Sequence, residues 1–188
     1  MNIAKLLSFA AALTLSCAAN AAVLTSTTGS NTVDDYSAPG LVSFDLDLQN
    51  FSTTTLNFVL EADDLQGPLS FNALVRNLTG ADLSRFTFSL QGIRFGAAGS
   101  VASDFTTVRA VNAGALAAAI DFSTPVYTEF QFGNVLGNGR DWLLDTAGLR
   151  AGDRFTITAA VPEPSSAALV LPMLCMAGLM AARRRRKD

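Results

Sequence analysis

Strict period-two alternation decides what this chain can fold into. Val42, Phe44, Leu46 and Leu48 alternate with Ser43, Asp45 and Asp47. Leu56, Phe58 and Leu60 alternate with Asn57, Val59 and Glu61, and Phe86, Phe88 and Leu90 with Thr87 and Ser89. Successive side chains of a strand point to opposite faces, so each run specifies a strand with one buried and one solvated side, as in antiparallel sheets. Val126, Thr128, Phe130 and Phe132 read as one more such strand, and Phe155 and Ile157 mark the last. Leu69 to Arg76, Phe105 to Val111 and Ala118 to Phe122 are less regular candidates. Turn signals such as Gln66-Gly67-Pro68, Asn77-Leu78-Thr79-Gly80, Gln91-Gly92 and Asn138-Gly139 separate the runs. One stretch, Asn112 to Ala119, holds enough alanine for a short helix, weakened by Gly114. The pattern predicts an all-β antiparallel β-sandwich with jelly-roll or Greek-key connections. Phenylalanine supplies much of the volume for its inward faces.

The two ends do not share this pattern. Lys5 is a minimal positive start, Leu6 to Leu15 is mostly apolar, and Ala19-Asn20-Ala21 is the small-x-small pattern of a signal-peptidase site. Residues 1–21 are therefore expected to be a signal peptide, cut between Ala21 and Ala22. A lipoprotein signal would carry leucine three residues before Cys17, where Thr14 stands. The remaining cysteine, Cys175, lies near the other terminus, so the exported body, residues 22–160, contains none. Its stability must come from a packed core rather than disulfides. At about 140 residues it is long enough for one core and short for two domains.

Residues 161–188 form a three-part tail. Pro162 and Pro164 hold Val161-Pro162-Glu163-Pro164 extended, because proline fixes φ and restricts the residue before it. The apolar run 165–182 is long enough for ~27 Å of helix, close to the ~30 Å of a bilayer core. Pro172 within it removes one helical hydrogen bond, which membrane helices tolerate. Arg183, Arg184, Arg185, Arg186 and Lys187 then act as a stop-transfer cluster on the cytoplasmic side. The bland reading is a single-pass anchor behind a stiff spacer. In its order and its extreme position the tail resembles the PEP-CTERM sorting signal of Gram-negative bacteria. The resemblance implies that Pro162, Glu163 and Pro164 are recognised by an exosortase, an integral-membrane transpeptidase. It further implies a single-pass intermediate in the inner membrane, then transfer to the cell surface or an extracellular, polysaccharide-containing matrix. Signal peptidase and exosortase are thus the expected processing partners. The resemblance covers handling and is silent on the body.

The body carries Arg76, Arg85, Arg94, Arg109, Arg140, Arg150 and Arg154 against fourteen acidic residues, with no lysine. Its net charge of −7 repels phosphate backbones, which argues against a nucleic-acid partner. The whole chain has no histidine. Ser-His-Asp triads, Cys-His pairs, Ser-Lys dyads and histidine-based zinc sites are excluded by composition. A carboxylate pair of the glycosidase kind survives, with Asp45 and Asp47 on one strand face as its candidates. Asp34-Asp35, Asp63-Asp64 and the stretch Asp141 to Asp153 offer hard oxygen ligands for calcium, Asp63 and Asp64 being the named pair. None forms an EF-hand loop, and aspartate also favours turns by bonding its own backbone. Trp142, Tyr36 and Tyr127 are candidates for stacking on sugars, although Trp142 beside Leu143 and Leu144 reads as core. Thr25 to Thr28 and Ser52 to Thr55 are hydroxyl-rich patches, read as polar loops or glycan acceptors. No cofactor and no catalytic residue is expected. The body reads as structural or adhesive, with a glycan- or calcium-binding module as the alternative.

Overall fold

The computed structural model describes residues 21–162. Its strands are β1 (Val23–Thr28), β2 (Thr32–Asp35), β3 (Leu41–Leu48), β4 (Thr54–Val59), β5 (Leu69–Asn77), β6 (Leu83–Gln91) and β7 (Arg94–Ala97), followed by β8 (Val101–Ala102), β9 (Val108–Ala113), β10 (Ala117–Val126), β11 (Glu129–Phe132), β12 (Trp142–Asp145) and β13 (Arg154–Ala160). A 3-10 turn at Ala62–Gln66 is the helical element among the described residues. One sheet runs β1-β4-β13-β6-β10-β9. The other runs β2-β3-β5-β11-β8, with β12 also on β5 and β7 on β12. The chain passes from sheet to sheet at β3-β4-β5-β6-β7, so consecutive strands pair directly only at β2-β3 and β9-β10.

The alternation of β3 is realised residue for residue: Val42, Phe44, Leu46 and Leu48 are at most 2% exposed, while Ser43, Asp45 and Asp47 face outward. Phe88 joins the two sheets. Its ring lies 4.8 to 6.1 Å from those of Phe44, Phe71, Phe86 and Phe132, each pair edge to face. Such pairs add roughly 0.5–1.5 kcal/mol each beyond their area. Trp142 stacks on Phe132 at 4.4 Å and donates its indole N–H to the Ser100 carbonyl at 3.0 Å, so it is core.

Four expectations are corrected. The sheets are antiparallel except at β3–β5, which pair in parallel from Leu41↔Ser70 to Leu48↔Asn77. Strand β4, placed between them in sequence but in the opposite sheet, makes the return crossing. The alanine-rich stretch 112–119 is the β9-β10 hairpin, with Ala113 opposite Ala118. Burial of Ala118 and Ile120 against the core outweighs alanine's helix propensity. Val126 to Phe132 is two strands rather than one, because the chain changes sheet at Tyr127-Thr128. Thr25 to Thr28 is part of the edge strand β1, where β-branched threonine suits the extended backbone.

Candidate functional site: the C-terminal exit

The chain leaves the body from the middle of a sheet. Strand β13 is bonded on one side to β4, from Arg154↔Val59 to Ala159↔Thr54, and on the other to β6, from Thr156↔Gln91 to Ala160↔Thr87. Phe155, Ile157 and Ala159 point into the core, and Phe155 stacks on Phe58 at 5.2 Å. Val161 still packs against the core, and Pro162 is exposed. One residue therefore separates a fully paired strand from the first proline of the sorting motif. Glu163, Pro164, the apolar run 165–182, the cluster Arg183 to Lys187 and Ala19 lie outside the described residues, among which no helix is long and apolar enough to cross a membrane.

Residues 160–186 match the family model of the PEP-CTERM protein-sorting motif. The chain carries a PEP-CTERM sorting signal. The matched stretch begins at Ala160, the last residue of β13, so the PEP-CTERM signal starts where the sandwich ends. A signal of this kind implies exosortase processing and export by way of a membrane-anchored intermediate. No match was found among curated proteins or among solved structures.

The other end of the body behaves differently. Ala22 is 1% exposed and precedes β1, which pairs with β4 alone, Val23 opposite Val59 and Thr28 opposite Thr55. Because β4 and β13 are antiparallel, Val23 lies level with Arg154, at the end of the sandwich far from Ala160. The body's two termini thus sit at opposite ends of one sheet.

The remaining candidates lie elsewhere on the body. Asp45 and Asp47 share one guanidinium: Arg76 Nη2 lies 3.2 Å from Asp45, and Arg76 Nε donates to Asp47 at 2.5 Å. Partial burial raises the Asp45 carboxyl above its ordinary value, and neighbouring Asp47 and Asp34 push the same way against Arg76. Asp64 is 1% exposed, and both its oxygens are taken by backbone N–H groups, Gly40 at 3.1 Å and Glu61 at 2.8 Å. Its role there is to cap the 3-10 turn, while Asp63 is exposed. Asp35, Asp145 and Asp153 likewise accept from local backbone N–H groups at Ser37, Ala147 and Arg150. Asp141 accepts from the side chain of Asn72. No group of three or more acidic side chains converges for a metal among the described residues. In the second hydroxyl patch Ser52 pairs with Ser30 at 3.0 Å, and Thr54 accepts from Asn31 at 2.9 Å.

One open cleft of about 390 Å³ lies at the far end, lined by Ile93, Arg94, Leu116, Asp145 and Leu149 among others. Arg94 pairs with Asp145 across it at 2.8 Å, and that pair, after the Ala147 N–H, holds the Asp145 carboxyl below its ordinary value. Sequence reasoning missed this cleft because its residues come from three separate turns.

Proposed function

We propose that this protein is an exported component of the cell surface or extracellular matrix, processed by an exosortase at its tail, with a non-enzymatic structural or adhesive body. The observation that carries the reading is the junction at Ala160: the sorting signal begins at the last residue of a completed sandwich. Strand pairing ends at Ala160, and Pro162, the first proline of the motif, is already exposed. A body without histidine, cysteine or lysine, whose Asp45 and Asp47 are tied to one arginine, supports a non-enzymatic role. On this reading residues 1–21 direct export. Cleavage between Ala21 and Ala22 precedes docking of β1, since Ala22 is buried once the sheet forms.

The test is the mass and location of the mature protein in its native host, beside a variant with Pro162→Ala, Glu163→Ala and Pro164→Ala. The wild type is expected outside the cell envelope's inner membrane without its signal and basic tail. The variant is expected to keep the tail and stay in that membrane. Both proteins remaining full-tailed in the membrane would reduce the motif to a spacer.

A second reading, glycan binding, draws on the far-end cleft. The Arg94–Asp145 pair beside Leu116 and Leu149 offers donors, acceptors and an apolar floor. A rise in melting temperature with matrix polysaccharide, lost in Arg94→Ala, would favour it.

A further inference from the structure

The end of the sandwich from which the tail leaves is not flush. Ala160 pairs with Thr87, yet β6 continues past that point through Phe86, Arg85, Ser84 and Leu83, and β10 accompanies it from Ile120 to Val126. Four residues of strand are an overhang of about 13 Å beyond the end of β13. The tail has the same number of residues, Val161 to Pro164, before its apolar run, and at polyproline spacing they reach about 12 Å. Ser165, the first residue of the apolar run, is one step further, about 15 Å from Ala160 at that spacing, so even an extended tail carries it only a few ångströms past the tip of the overhang.

At that tip three loops are bonded together and each exposes one large apolar side chain. Buried Asn77 donates to the Ala81 carbonyl at 2.8 Å and the Val126 carbonyl at 2.7 Å, tying the loop after β5 to the β10-β11 turn. Thr106 donates to the Thr124 carbonyl at 2.8 Å, and Ser123 N–H donates to the Thr107 carbonyl at 2.9 Å, joining the loop after β8. The exposed residues are Leu78 at 54%, Phe105 at 72% and Tyr127 at 55%. The Tyr127 hydroxyl is anchored on Asp82. Apolar exposure alone does not single out this end, because Leu116 at the far end is 57% exposed. The tail does.

We infer that Leu78, Phe105 and Tyr127 form a foot that rests in the headgroup region of the bilayer while the tail is inserted. This inference rests on the membrane-anchored intermediate of the sorting reading. Tyr127, an aromatic ring with a polar tip, favours that depth, and Leu78 and Phe105 add the apolar contact. Asp82 and Asp104 lie in the same loops, so the foot fits a zwitterionic lipid surface and gains nothing from anionic lipid. Docked in this way, the body holds Pro162 at the membrane surface in a fixed orientation, where an integral-membrane enzyme reads the motif.

The experiment uses the chain from Ala22 to Asp188, as left by signal removal, in phosphatidylcholine vesicles containing brominated phosphatidylcholine, with Phe105→Trp and Leu116→Trp compared with wild type. The native Trp142, fully buried, is the common background. Trp at 105 is expected to lose roughly half of its added emission or more, as interfacial rings sit at headgroup depth. Trp at 116 and the wild type should keep theirs. An unquenched position 105 in protein that co-floats with the vesicles would overturn the foot and leave the anchor standing. Equal quenching at 105 and 116 would mean that the body lies on its side, which also overturns it. Protein of residues 22–188 that does not co-float would remove the anchored intermediate itself, and the foot with it.

Discussion

The body's first and last strands belong to the same sheet and have opposite standing in it. Strand β1 is an edge, bonded to β4 alone and mostly exposed, whereas β13 lies between β4 and β6 with Phe155, Ile157 and Ala159 in the core. Sequence order is therefore no guide to structural weight. The last seven residues of the body are among those the sandwich can least lose, whereas β1 itself packs only Leu24 against the core. That asymmetry fits the proposed handling, in which a signal peptide before β1 is removed early and the tail after β13 is processed on a finished domain.

The comparison can be broken by substitution. Phe155→Ala should cost about 3–5 kcal/mol, the usual range for a buried aromatic. Leu24→Ala in β1, half-buried, should cost about 1 kcal/mol. Denaturant titration reads both, and equal losses would make the edge strand as integral as the central one.

Two glycines sharpen it. Gly92, with φ +80°, has no room for a Cβ, which would meet the Arg154 carbonyl oxygen at 2.6 Å. Gly29, with φ +118°, would meet that of Thr53 at 2.7 Å. Alanine at either should cost about 1–3 kcal/mol of local strain. Gly92→Ala presses on the start of β13 and should lower the global midpoint. Gly29→Ala should mainly raise amide hydrogen exchange in β1, and a global loss there would contradict the edge assignment.

The smallest effect is acid. Asp121 on β10 accepts from Arg85, with Arg109 further off, and these hold its pKa below the ordinary 3.8. Its contribution is fully present above pH 3.8 and is lost as pH falls through the lower folded value. Asp45 acts the other way, its raised pKa contributing most when protonated and losing that as pH rises above 3.8. Asp121→Asn should therefore remove under about 1 kcal/mol at neutral pH and flatten the acid limb. Strand β1 has no ionisable side chain, so its exchange rates should not follow this titration.

What could be read from the chain follows the same divide. Strands buried on one face, β3, β4, β6 and β13, announce themselves because solvent and core impose opposite side-chain chemistry on alternate residues. Edge strand β1 has both faces largely wet, so its threonines looked like a loop. The β9-β10 hairpin was obscured by alanine, whose propensity is local while its burial depends on β6 across the sheet. The break at Tyr127-Thr128 left the alternation intact, so nothing in the pattern marked a change of sheet. The sorting motif was legible, since the order of proline, apolar run and clustered arginine is recognised without tertiary context. The foot was not: Leu78, Phe105 and Tyr127 are neighbours only through loops that the crossing strands bring to one end.

The central position of β13 also has a mechanical consequence. A load applied through the anchored tail acts along the strand axis. The hydrogen bonds to β4 and β6 are then strained together in shear, whereas an edge strand could be peeled one bond at a time. A surface protein held by its C-terminus would resist flow or tugging by neighbours with two ladders at once. Pulling single molecules from residue 160 and from residue 22 should give clearly higher rupture force from the former.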